Sequence, residues 1–318
     1  INFGKGSYII SLPKSWVNKN NLQKGALIGI EEIKTGLMLS ADVSATKKEE
    51  RNITIIADEK VMERIKAEIV SAYLNNYDTI EIISKDLKKN IKEIKEIFMY
   101  LAGMEILEQT STRLVAKDLI DLNEISVTSL INRMDIITRS MISDVLSFTQ
   151  GNVDYESVQQ RDTEVNRLNF LAQRFIKKAL SDPQVAKSTT KDPWQLVSDH
   201  MVALEIEKLA DKQKRIAELL KDTKIGKNEL DKLKEIYKTI QQYYLNVMKA
   251  YINKDKELAL DIELSHEDRF NLCNKFLESY YPKKKQSHAD FTSVALIIEN
   301  LKSTISLVKN IARTILGC

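Results

Sequence analysis

The chain has 318 residues, 43% apolar and 29% charged, with a formal net charge of +3. That length gives one to three domains with ample core, and the near-neutral balance excludes a global cationic footprint as the argument for any partner. Its two cysteines, Cys273 and Cys318, sit in no CxxC pair, which excludes a thiolate metal site and a disulfide framework and fits a reducing, cytoplasmic setting. No apolar run of about 18 residues predicts a membrane span, and no signal peptide is evident. The first residue is Ile1 rather than Met and falls in a predicted strand, so further residues are expected before it. Nine Gly and four Pro favour long helices.

The first segment covers residues 1–45. Residues 6–12 alternate and are β-branched, with Tyr8, Ile10 and Leu12 set against Ile9 and Ser11, and Pro13 ends the run because it has no N–H for a ladder. SWVNKNNL gives about two helical turns with Ser15 as cap. QKGALIGIEEI, a Thr35-Gly36 turn and LMLSA then predict a hairpin. Such a fragment cannot bury much alone and needs a partner, most simply a second copy of itself. Residues 1–30 carry Lys5, Lys14, Lys19 and Lys24 and no acid, a local excess suited to phosphate.

TKKEER (46–51) is a charged linker. After it NITIIAD, DTIEIIS and TRLVAKDL read as strands. VMERIKAEIVSAYLNN and KKNIKEIKEIFMYLAGMEIL read as the helices between them, the first carrying Val61, Ile65, Ile69 and Tyr73 at helical spacing. This predicts a small βαβαβ domain over 46–120. From there to residue 318 only helices are expected, at about 124–150, 154–186, 192–222, 227–252, 256–280 and 288–316. Asp192-Pro193-Trp194 and Pro282 mark starts or breaks. The stripe Leu130, Met134, Ile137, Met141, Val145, Phe148 has bundle spacing. The fold class expected is therefore mainly α, a six-helix bundle preceded by a β hairpin domain and a small α/β domain.

The helical half repeats, with units at about 124–222 and 225–318. RDTEVNRLNFLAQRF (161–175) aligns with HEDRFNLCNKFLESY (266–280), placing Val165 on Phe270, Leu168 on Cys273, Leu171 on Phe276 and Asp162 on Glu267. IEKLAD (206–211) aligns with IENLKS (298–303), placing Glu207 on Glu299 but Asp211 on Ser303. In the first repeat Asp162-x-x-x-Asn166 and Glu207-x-x-x-Asp211 each put two oxygen-bearing side chains on one helix face. Two such helices side by side offer oxygen ligands for a di- or trivalent ion such as Fe, Mg, Mn or Zn, with His200 as a nitrogen donor. Acids four apart are common on solvated helix faces; the pairing of two such helices is what singles these out. The second site has Glu267, Asn271 and Glu299, and Glu263 is a substitute for the acid lost at Ser303. Cys273 falls on an apolar stripe and reads as core. There is no Ser-His-Asp set, no phosphate-binding glycine loop and no GxGxxG, so no enzymatic activity is expected.

GSYIISLPKSW followed by LQKG, strand, turn and strand resembles the swapped-hairpin DNA-binding domain of the AbrB and MazE type. Ala26 stands where that family usually has an acid. The helical half resembles PhoU, the phosphate-uptake regulator built from two three-helix repeats, through IEKLAD and the Asp162 helix. The combination resembles archaeal PhoU-like regulators. The resemblance implies a homodimer that regulates transcription in phosphate homeostasis, contacting DNA through Lys5, Ser7, Lys14 and Lys19. It also implies metal bound at Asp162, Asn166, Glu207 and Asp211, and at Glu267, Asn271 and Glu299. The alternative it implies is a cytoplasmic adaptor acting on a phosphate transporter ATPase or a sensor kinase, with the hairpin serving only to dimerise.

Overall fold

The computed structural model describes residues 2–3, 7–33, 36–41, 50–147, 154–280 and 288–317. The chain divides into two compact units, Ile1–Glu50 and Arg51–Cys318.

In the first unit β1 (Asn2–Phe3) pairs antiparallel with β2 (Ser7–Tyr8). The strand expected over 6–12 is thus shorter than its pattern, and residues 9–12 lead into Pro13 outside any ladder. Helix α1 (Lys14–Lys19) starts one residue before Ser15. Pro13 is its cap residue, and its carbonyl accepts from the N–H groups of Trp16 and Val17 at 3.0 and 3.1 Å. The hairpin forms as β3 (Gly29–Ile33) and β4 (Gly36–Ser40) in antiparallel register, Glu31 opposite Met38. Among the described residues of this unit none is buried. Ile9, Ile10, Leu27, Ile30 and Leu37 are 47–73% exposed.

The second unit opens with a four-stranded sheet in the order β5-β6-β8-β7: β5 (Asn52–Ile56), β6 (Thr79–Ile83), β7 (Met104–Gln109) and β8 (Arg113–Asp118). The β5–β6 pair is parallel and the other two pairs are antiparallel. Helices α2 (Met62–Leu74) and α3 (Ile91–Met99) connect the strands. They build a local core with Ile55, Ile80, Ile82 and Leu114 from the sheet and Ile65, Ile69, Ile94 and Phe98 from the helices. The predicted βαβαβ order gains a strand: MEIL, expected as helix, is the start of β7. Gly103 makes the break. It has φ +84°, and a Cβ there would lie 2.4 Å from the Ile120 side chain, so only glycine fits.

The rest is helical: α4 (Val127–Leu146), α5 (Tyr155–Ser181), α6 (Pro183–Ser188), α7 (Pro193–Asp222), α8 (Lys227–Asn253), α9 (Lys256–Leu264), α10 (His266–Tyr280) and α11 (His288–Leu316). Local chemistry sets the ends. Asp192 and Gln195 form a capping box with Pro193 at the first helical position of α7, and Asp154, Ser126 and Asp255 cap α5, α4 and α9. Two predicted helices are broken. The 154–186 helix ends before Pro183, because proline disfavours helical backbone at the preceding Asp182. The 256–280 helix breaks at Ser265, whose hydroxyl donates to the Ile262 carbonyl at 3.2 Å.

Helices α4, α5 and α7 pack on one another, as do α8, α9, α10 and α11, and α7 lies on α11. One continuous core results, including Met134, Met141 and Val145 of the predicted stripe and Val165, Leu168, Leu171, Cys273 and Phe276 of the aligned positions. Phe148 lies outside the described residues. Helix α11 is the one described helix whose length and composition would let it cross a bilayer, contrary to the expectation that no such run exists. It is used here as core, burying Val294, Ile297, Leu301, Ile305, Val308 and Ile311.

The sheet layer and the bundle meet through α5. Arg174 is 1% exposed and pairs with Asp118 at the end of β8, which is 3% exposed. Its Nε donates to Asn76 Oδ1 at 3.2 Å, and its guanidinium stacks 4.6 Å from the Tyr73 ring centre. Removing one partner of such a pair leaves a buried charge uncompensated. Asp118→Ala is therefore expected to lower the free energy of unfolding by about 3–5 kcal/mol in a urea titration. The apolar double replacement Asp118→Leu/Arg174→Met is expected to recover most of that loss.

Candidate functional site

Helices α5 and α7 bring the first-repeat residues together. Asp162 lies on α5 and is 4% exposed. Asn166, one turn on, donates from Nδ2 to Asp162 Oδ2 at 3.4 Å. Glu207 and Asp211 face them from α7. A fifth residue, absent from the sequence expectation, holds the centre: Lys214 Nζ donates to Asp162 Oδ2 at 2.5 Å and to Asp211 Oδ1 at 3.0 Å. Lys214 stands three residues after Asp211 and seven after Glu207, on the same face of α7.

The electrostatics follow from burial and crowding. Burial raises the Glu207 pKa to about 7, and the charges of Asp211 and Asp162 push the same way. Burial also raises Asp162, against the hydrogen bond and charge of Lys214. Lys214 itself is held above the usual lysine value: burial opposes its charge, but the bonds to Asp162 and Asp211 outweigh that. The one ammonium thus holds two of the three carboxylates, and Asp162 Oδ1, buried, has no hydrogen-bond partner.

The donor set does not fit a metal ion. Hard cations need several free oxygen lone pairs around one point. Here Asp162 Oδ2 and Asp211 Oδ1 are engaged by Lys214. Among the described residues no group of three or more His, Cys, Asp or Glu side chains is arranged to hold a metal. His200 does not add a ligand to such a group. Burial lowers its pKa, and its Nδ1 is buried without a hydrogen-bond partner.

The second-repeat residues stay apart. The Glu267 side chain is 77% exposed with its Oε1 3.5 Å from His266 Nδ1, and Asn271 is exposed on the same helix. Glu299 pairs with Lys302 at 2.7 Å, and Ser303 donates its hydroxyl to the Glu299 carbonyl. Glu263, the proposed substitute, is taken by Arg313 at 2.7 Å. In the N-terminal unit Lys14 and Lys19 are exposed at the two ends of α1, Lys24 is exposed beyond it, and Ser7 lies in β2. Lys5 lies outside the described residues.

No family model matches the chain, and no curated protein matches it. One solved structure that aligns is the crystal structure of PhoU from Pseudomonas aeruginosa, over 60% of this chain and 93% of that one, at 13% identity and a TM-score of 0.49. A likeness at that level fixes neither family nor function.

The raised Glu207 has a thermodynamic consequence. A carboxyl whose folded pKa lies above its unfolded value favours folding below the unfolded pKa, and that contribution is lost as pH rises through the folded pKa of about 7. Glu207→Gln is therefore expected to raise Tm relative to wild type at pH 8 and to leave it nearly unchanged at pH 5. Paired melts across pH 5–8 check this; equal shifts at both ends would count against it.

Proposed function

We propose that the chain is a homodimeric, cytoplasmic, non-enzymatic regulator of phosphate homeostasis that binds DNA through its N-terminal unit and receives its signal through the helical bundle. One observation carries this reading. The N-terminal unit buries none of its described side chains, leaves Ile9, Ile10, Leu27, Ile30 and Leu37 exposed, and keeps Lys14, Lys19 and Lys24 at the surface. A two-stranded hairpin without a core is marginal alone, so a second copy is the natural cover for the apolar side chains. The lysines are then left to meet an anionic surface. Phosphate contacts of this kind position a protein on a duplex and make its binding salt-dependent. The link to phosphate status rests on the sequence resemblance of residues 161–175 and 206–211 to a PhoU repeat. The bundle is the part expected to hold two repeats.

The second reading is an adaptor that works by protein contact with a transporter ATPase or sensor kinase. It is favoured by the fact that both hydrophobic cores belong to the unit Arg51–Cys318. That unit has what it needs to present a folded surface without the first.

Selection of fragmented genomic DNA by the full chain at about 150 mM salt, where non-specific binding is suppressed, separates the two. Discrete sites are expected to be enriched by wild type and lost by Lys5→Glu/Lys14→Glu/Lys19→Glu. Absence of enrichment, with a folded dimer, would favour the adaptor.

A further inference from the structure

We propose that the ammonium of Lys214 is the resident cation of the α5–α7 carboxylate site, standing where such a ligand set would hold a metal ion, so that this site is built without one. The inference concerns that site alone and stands whichever way the N-terminal unit acts.

Three observations carry it. The first is position: Nζ lies within hydrogen-bond distance of an oxygen from each helix, 2.5 Å from Asp162 and 3.0 Å from Asp211. One side chain on α7 therefore bridges the two helices, which is the task a bridging cation would have. The second is burial. Asp162 is 4% exposed, and a buried carboxylate needs a cation or a proton. The Lys214 side chain is 31% exposed, and its Nζ bonds the buried Asp162 carboxylate. The third is that the protein meets the same need the same way elsewhere. Buried Asp118 pairs with Arg174, buried Asp135 with Arg139 and buried Asp199 with Lys191. In the second repeat the aligned acid Glu299 also has a lysine, Lys302. A divalent ion entering the first site would have to displace the lysine from two carboxylates or lie beside it, cation against cation.

The same geometry says what removing the lysine should do. Asp162, Glu207 and Asp211 would be left with three carboxylates and no cation, and Asp162 Oδ1 already lacks a partner. Lys214→Met should therefore leave buried Asp162 without a cation, and, because these carboxylates are not arranged to hold a metal, no ion should replace the lysine.

The test uses the full chain, stripped with chelator and titrated with Mn²⁺, read by electron paramagnetic resonance and by thermal melting. Wild type and Lys214→Arg are expected to bind no Mn²⁺ at this site up to about 1 mM and to keep the same Tm with chelator or Mn²⁺. Lys214→Met is expected to lose roughly 5 °C in Tm and to regain none of it with Mn²⁺. The proposal is overturned if wild type binds Mn²⁺ that Asp162→Asn removes, or if folded Lys214→Met melts as wild type does. Should Lys214→Met fail to fold even with Mn²⁺, wild type and Lys214→Arg decide the matter. Metal held by either and released by Asp162→Asn overturns it, and indifference of both supports it.

Discussion

The pairing of Arg174 with Asp118 is the constraint around which the larger unit is arranged. A guanidinium that is 1% exposed cannot be tolerated in a protein interior without a carboxylate and further acceptors. Those acceptors come from different parts of the chain. Asp118 ends β8, and Asn76 lies just past the end of α2 in a left-handed backbone conformation, φ +59°. Tyr73, one turn earlier on α2, supplies its ring face and donates its hydroxyl to the Ala102 carbonyl at 2.9 Å. One side chain of α5 therefore fixes the end of a helix, the end of a strand and the loop before β7. Phe170 packs into the sheet-layer core from the same helix, and Lys177 donates to Asn75 Oδ1 at 2.6 Å. The sheet layer has its own core, but its seating on the bundle is dictated by this short stretch of α5.

That stretch lies on the same stripe of α5 as the carboxylate site. Asp162, Asn166, Phe170, Arg174 and Lys177 follow one another at helical spacing, so one stripe serves α7 at one end and the sheet layer at the other. Twelve residues of helix separate Asp162 from Arg174, about 18 Å of continuous rod. Nothing flexible intervenes: the run has no Gly or Pro, and Val165, Leu168, Leu171 and Ala172 are locked in the core. A change of charge at Asp162 and Lys214 has no local loop to absorb it. It reaches the sheet layer only by moving α5 as a body, and buried Arg174 resists such movement. For the bundle to signal, two seatings of α5 must therefore exist whose balance the site can bias.

Much of this architecture is readable from the sequence because its determinants are local. The 3.6-residue stripes, the Asp192-Pro193 start of α7 and the β-branched run NITII are short-range signals, and each produced the element it implies. The misses share a physical cause. MEIL followed a helical pattern, but its state is decided by Gly103, which has a positive φ and where the Ile120 side chain, seventeen residues away, excludes a Cβ. The 6–12 strand pattern was genuine, yet a strand persists only where a neighbour pairs with it, and within the chain β1 offers two residues. At the candidate site the acids were legible from i, i+4 spacing, whereas Lys214 was not. Lysine is common on charged helices, and what makes this one special is Asp162, 52 residues away on another helix. The second-repeat acids show the converse: Glu267, Asn271 and Glu299 keep the sequence order but face solvent or other cations.

The two units also differ in what holds them together, and this bears on how the protein assembles. In Arg51–Cys318 the apolar side chains find each other within one chain, so its stability is a property of the monomer. In Ile1–Glu50 no described residue is buried, so the described residues supply little of the favourable term that offsets the entropy of ordering them. Under the proposed pairing that term comes from an intermolecular surface, and an equilibrium that includes association depends on concentration. The order of the N-terminal unit would then be tied to pairing in a way the bundle is not.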